Sequence, residues 1–121
     1  MKTKMTKANA TTRRRRAIYW TYRMLTELEK DIRNNSISRD IMDAKRRVLG
    51  RIKAPYSFCP LCHYTDEQGC SVCPLPQEVN CYAHDAPYQV INCYVSRREC
   101  SKSDAYEAIR IIKKHLKKAW R

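Results

Sequence analysis

Two CxxC pairs constrain this chain more than any other feature: Cys59-Pro60-Leu61-Cys62 and, after seven residues, Cys70-Ser71-Val72-Cys73. Two tight turns of this kind can deliver four thiolates to one ion, a donor set that suits tetrahedral Zn²⁺. Pro60, Gly69, Pro74 and Pro76 are available to turn the backbone there. A chain of 121 residues buries only a modest apolar core. A metal clasp is therefore physically useful, because structural zinc contributes about 10–16 kcal/mol of apparent folding free energy near neutral pH.

The simplest ligand set is Cys59, Cys62, Cys70 and Cys73, with Cys81 as the alternative for one position. One Zn²⁺ is expected. A second becomes available if Cys81, His84, Cys93 and Cys100 form a Cys₃His set, although those spacings match no closed motif. The plainer account of Cys93 and Cys100 is that they are reduced, partly buried small hydrophobes. An iron–sulfur cluster also accepts four cysteines, but geometry and availability favour zinc. His63 follows Cys62 directly and is expected at the surface or behind the ligands.

Other readings of the cysteines fare less well. Cys59 to His63 fits the CxxCH haem-attachment string, which needs export; Met1 to Arg16 has no apolar stretch of the secretory type, so none is expected. The same argument favours metal over disulfides, and seven cysteines cannot all pair with one another. A redox dithiol expects a βαβ setting, whereas the flanks here read as helices.

The net charge of +13 is unevenly spread. Residues 1–16 carry seven Lys/Arg and no acid, while residues 55–100 carry two basic and five acidic groups. Residues 17–54 and 101–121 are again basic. The cysteine region is thus locally acidic between basic flanks. A polyanionic partner would meet the flanks, with the metal module as scaffold.

Hydrophobic spacing predicts a mainly α fold. Its parts are an N-terminal αα-hairpin, a central Cys₄ zinc knuckle and a C-terminal amphipathic helix. Residues 1–12 are polar and basic and are expected to form a flexible arm. Ile18, Tyr22, Leu25, Leu28 and Ile32 recur at helical spacing, with Trp20 and Met24 widening the stripe. A second helix reads from about Ile37 to Lys53, capped by Ser36 or Ser38 and ended by Pro55. Its stripe is Ile37, Ile41, Ala44, Val48 and Ile52, with Leu49 beside it. The short link predicts that the two helices form a hairpin over residues 13–54.

Residues 55–100 form the cysteine-rich module. Within them, residues 82–100 stay ambiguous: Asp85-Ala86-Pro87 reads as a helix start, yet Gln89 to Val95 suits a strand equally well. From 101 to 121 the signal is clear. Ser101-Lys102-Ser103-Asp104 is a capping-box pattern, followed by a buried face of Ala105, Ile109, Ile112, Leu116 and Ala119. No internal repeat occurs beyond the doubled CxxC.

Cys59 to Cys62, Cys70 to Pro74, Cys81 and the Pro87-Tyr88 pair together resemble a pattern in small cysteine-rich proteins of tailed bacteriophages. The resemblance spans about residues 57–90. It implies a zinc-stabilised phage accessory protein acting in the host cytoplasm, and it implies no particular activity. The N-terminal basic helices lie outside the match.

Catalytic constellations are missing. There is no HExxH, no HxE with a downstream PCxxC and, with only Gly50 and Gly69, no phosphate-cradling glycine loop. A four-cysteine zinc site leaves no open coordination position. The chain is therefore expected not to be an enzyme, and no small-molecule substrate is evident. No run of eighteen apolar residues argues for a membrane span.

Binding is the expected role. Arg13, Arg14, Arg15, Arg16, Lys45, Arg46, Arg47, Arg51, Lys53, Lys113, Lys114, Lys117 and Lys118 are candidates to contact DNA or RNA phosphates. The alternative partner is a host or viral nucleic-acid-processing protein, such as a polymerase or defence nuclease. A further possibility is a nucleoprotein assembly in which the chain is a structural subunit. Charge runs of this kind also occur simply as solvated surface.

Overall fold

A computed structural model describes residues 4–68, 74–75, 87–97 and 99–120. The architecture is mainly helical, as the periodicity predicts, with no strand among the described residues. In order, the elements are α1 (Arg13–Arg33), α2 (Ile41–Arg51), α3 (Pro60–Gln68), α4 (Pro87–Asn92), a π-helical turn (Cys93–Arg97) and α5 (Lys102–Trp120).

The central helix is α1. Thr12 caps it, its hydroxyl accepting from the Arg15 amide at 3.1 Å. Ile18, Met24, Leu25, Leu28 and Ile32 are completely buried. Each large side chain moved out of water contributes about 1.5–3 kcal/mol. Ala17 to Thr21 are five consecutive buried residues, which a single apolar stripe cannot produce. The helix is therefore covered on more than one side, by α3 and α5 as well as α2.

The contact of α2 with α1 is therefore only part of the packing around the central helix. The apolar patch of α2 is small, with Ala44, Val48 and Leu49 buried and Ile37, Ile41 and Ile52 only partly covered. Along α1, α5 runs antiparallel. Arg14 at the start of α1 meets Ala119 at the end of α5, and Arg33 at the opposite end of α1 lies over Tyr106. Buried Ala105, Ala108, Ile109, Ile112, Leu116 and Trp120 form the inner face of α5. Ala119, expected inside, is only half-buried, and Trp120 closes the core instead.

Caps explain the element limits. The Ser101 amide donates to Asp104 and the Asp104 amide to the Ser101 hydroxyl, both at 3.1 Å, so the predicted capping box is formed. The start of α2 differs from expectation. The Asp40 carboxylate accepts from the Met42 and Asp43 amides at 2.9 and 3.2 Å, leaving Ile37 outside the helix. A carboxylate at this position also suits the positive helix end better than a neutral hydroxyl. The ambiguous segment is resolved as helical from Pro87 to Arg97, with Ile91 and Val95 buried. Asp85, which was to cap it, lies outside the described residues.

Both α1 and α2 end in Schellman turns. Asn35 (φ 55°) and Lys53 (φ 56°) take the left-handed position. The amides of Ser36 and Ala54 reach back to the carbonyls of Asp31 and Leu49, each at 2.9 Å. Lysine is poorly suited to that conformation, while Gly50, three residues earlier, sits inside α2 with open space where a Cβ would point. The paired change Gly50→Ala and Lys53→Gly should therefore stabilise the fold by about 1–2 kcal/mol. A urea midpoint that rises with an unchanged m-value checks this.

Candidate polyanion interface and the cysteine pairs

Cys59 immediately precedes α3 and is 4% exposed, while Cys62 lies in the first turn of that helix. The His63 amide donates to the Cys59 carbonyl at 3.0 Å and closes the turn. The first CxxC is thus a helix start, which brings two sulfurs together on a rigid element. The Cys59 thiol is pulled down to about 5, first by a hydrogen bond from Cys62 and also by the Lys45 charge and two backbone amides; together these overcome the opposing effect of burial. A thiolate is the form that binds a soft metal ion.

A second pair forms elsewhere. Cys93 opens the π-helical turn and Cys100 precedes α5, with their sulfurs 2.8 Å apart. The contact with Cys93 leads the causes that push the Cys100 thiol up to about 11, with burial and the charges of Asp104 and Glu99 acting in the same sense. A cavity of 290 Å³ lined by Asn35, Ile37, Arg39, Tyr94 and Val95 opens beside Cys100.

Cys70, Cys73, Cys81 and His84 lie outside the described residues. Half of the expected Cys₄ set and half of the expected Cys₃His set are thus described, each half as an adjacent pair. Among the described residues, no three His, Cys, Asp or Glu side chains converge as a metal site. The donor chemistry of Cys59 and Cys62 fits Zn²⁺. His63 packs edge-on to Tyr56 at 5.4 Å between ring centres and near Phe58 at 5.5 Å, as part of an aromatic cluster.

The thirteen candidate cations separate into two groups. Those on α2 are committed within the fold. Arg46 and Arg47 both meet Asp43, at 2.6 and 2.9 Å, and Arg51 meets Glu27 at 3.3 Å and Asp31 at 3.0 Å. Lys45 is half-buried and acts on Cys59, and Lys53 occupies the left-handed turn. Together these contacts offset much of the positive charge of α2.

The other group is different. No acidic residue occurs before Glu27 or after Glu107, and the antiparallel packing brings those two stretches side by side. Arg14 donates to the Ala119 carbonyl and Arg15 stacks 4.7 Å from Trp120. Lys113 and Lys117 both cover Tyr22, at 4.9 and 5.7 Å. Burial lowers the Lys113 pKa, with Glu29 acting in the opposite sense. Arg13, Arg16, Lys114 and Lys118 are exposed around them or nearly so. Lys7 extends the arrangement over Trp20 at 5.7 Å.

Sequence reading missed the aromatic component. Buried Trp20 and Trp120 and half-buried Tyr22 each carry a cation on the ring while anchoring the core. The available signal was the interleaving of Tyr and Trp with Lys and Arg in 13–23 and 113–120. No helix among the described residues is long and apolar enough to cross a membrane. The chain has no match among protein families, curated proteins or solved structures.

The acidic pairs also set a pH response. Glu27 is 13% exposed, and its hydrogen bond from Lys30 leads the causes that hold its carboxyl below the ordinary 4.5, with Arg51 assisting. A depressed folded-state pKa means this stabilisation is complete above the unfolded value and disappears as pH falls through the folded one. Glu27→Gln should cost about 1 kcal/mol at neutral pH and flatten the acid limb of stability. Thermal melts from pH 7 down to pH 3 would reveal the difference.

Proposed function

We propose that this chain is a non-enzymatic, zinc-stabilised nucleic-acid-binding protein that holds phosphate backbones on the paired ends of α1 and α5. The observation that carries the proposal is the placement of Arg13 to Arg16 in the first turn of α1. Four cations at the positive end of a helix repel its dipole and one another, a cost that the contacts of Arg14 with the Ala119 carbonyl and of Arg15 with Trp120 offset only in part. The neighbouring end of α5 adds Lys113, Lys114, Lys117 and Lys118. Such a surface attracts polyanions through counterion release, without reading base sequence.

In this proposal the cysteine module is a clasp. Zn²⁺ is held by Cys59 and Cys62 together with the second CxxC pair, and supplies folding free energy, not reactivity. The resemblance of the cysteine pattern to small phage proteins supports an accessory or regulatory role in the host cytoplasm. An acidic surface on a nucleic-acid-processing protein is the competing partner.

Anisotropy titrations with duplex DNA across a salt series provide the test. Affinity should fall linearly on a log–log plot, and Lys114→Gln with Lys118→Gln should reduce the slope by about 1 for each cation that meets a phosphate. Arg46→Gln with Arg47→Gln should leave it nearly unchanged. No binding at low salt, alongside nuclease-resistant capture of a protein, would transfer the role to the competing partner.

Metal removal tests the clasp separately. The purified protein should contain one equivalent of zinc, and Cys59→Ser should release it with loss of helical circular dichroism. Unchanged helicity in chelator would remove zinc from the account.

A further inference from the structure

Between the first turn of α1 and the start of α3 lies a cavity of 250 Å³ lined by Arg13, Arg16, Pro55, Tyr56, His63 and Tyr64. We propose that this cavity receives one unpaired nucleotide of a single-stranded nucleic acid. Its phosphate would lie at Arg13 and Arg16, and its base against the Tyr56, His63 and Tyr64 wall. The proposal builds on the polyanion reading for the rest of the strand and adds a strand preference to it.

Three features of the lining point to that ligand. Arg13 and Arg16 are three residues apart on α1, so they share one face about 4.5 Å apart along the axis, and two guanidinium groups can take the same phosphate. The opposite wall is aromatic and already assembled: the His63 ring meets Tyr56 edge-on, with an interplanar angle of 76°, and is supported behind by Phe58. No carboxylate is among the described residues that line the cavity. A planar anion is the chemistry that satisfies cations and rings together.

Size selects among planar anions. The volume falls below the roughly 300 Å³ at which drug-sized sites begin, which limits the cavity to a single base with its phosphate at the rim and excludes a base pair. A base can reach the rings only when it is unstacked and unpaired, as in single-strand recognition on aromatic platforms. The cavity shares its arginines with the basic end of α1, so the strand can continue from it along the α1–α5 surface without a break in positive charge.

The test compares an oligothymidylate with a duplex of equal phosphate number at one salt concentration. The native protein should bind the single strand about tenfold more tightly or better. Tyr56→Leu should abolish that preference while leaving duplex affinity and its salt slope unchanged. Circular dichroism confirms the fold of the variant. Photocrosslinking of the native protein to a 4-thiothymidine strand supplies a second readout, with Tyr56, His63 or Tyr64 as the expected attachment points.

Equal affinity for the two ligands, or crosslinks confined to α5, would overturn the pocket while leaving the polyanion surface in place. Loss of binding to both ligands even at low salt would instead overturn the surface. Tighter binding of thymidine monophosphate than of the strand would reject the strand proposal in favour of a free nucleotide.

Discussion

The antiparallel contact between α1 and α5 is the interaction on which the rest of this structure depends. It joins the most deeply buried stripe of the chain to a second continuous apolar face, and it sets the two helix dipoles head to tail. The positive end of α1 therefore lies beside the negative end of α5. Arg14 makes this concrete, because its guanidinium occupies the carbonyl of Ala119 at the end of α5. A neighbouring helix end offsets part of the repulsion that Arg13 to Arg16 create in their own helix. Without that pairing, the cluster would oppose the start of α1 directly.

The same contact decides which charges remain for a ligand. Acidic residues stand only between Glu27 and Glu107: in the half of α1 after Met24, at Asp40 and Asp43, at Asp66 and Glu67 in α3, and through 78–107. Most cations near them are paired within the fold: Lys30 with Glu27, Arg33 with Glu29, Arg46 and Arg47 with Asp43, Arg51 with Glu27 and Asp31, and Arg110 with Glu107. At the other end, rings take the place of carboxylates. Tyr22 and Trp120 hold Lys113, Lys117 and Arg15 in position without neutralising them. This is a physical difference between ordering a cation and consuming its charge, and it divides the thirteen candidates more sharply than position in the chain does.

Much of the helical content was legible because its signals are local. Periodicity revealed α1 and α5, and the Ser101 to Asp104 box is formed as its spacing implies. What could not be read were choices between equivalent partners. Chain proximity pointed to the contact of α2 with α1, but the burial of Ala17 to Thr21 on a second side depends on α3 and α5, far away in sequence. Asp40 displaced Ser36 and Ser38 as the cap of α2 because a carboxylate serves two amides there. The lining of the α1–α3 cavity was hidden for the same reason: Arg13 and Tyr64 are fifty-one positions apart, and nothing local announces their meeting. The described cysteines form two adjacent pairs, with the Cys59 pKa lowered in one and the Cys100 pKa raised in the other. Spacing alone cannot distinguish those two environments.

The basic end also ties stability and binding to salt in opposite directions. Repulsion among Arg13 to Arg16 is a surface interaction, screened within a Debye length of about 8 Å at physiological ionic strength. Added salt relieves it and favours the free fold. The same salt removes the gain from counterion release and weakens a bound polyanion. A strand laid along α1 and α5 replaces the diffuse counterions with fixed phosphates, so it relieves the repulsion where salt is low and the repulsion is greatest. Folding and ligand capture then draw on one electrostatic term. The cluster is tolerated because the apolar contact of α1 with α5 is large enough to hold it, and it has most to gain from a polyanion where that contact places it.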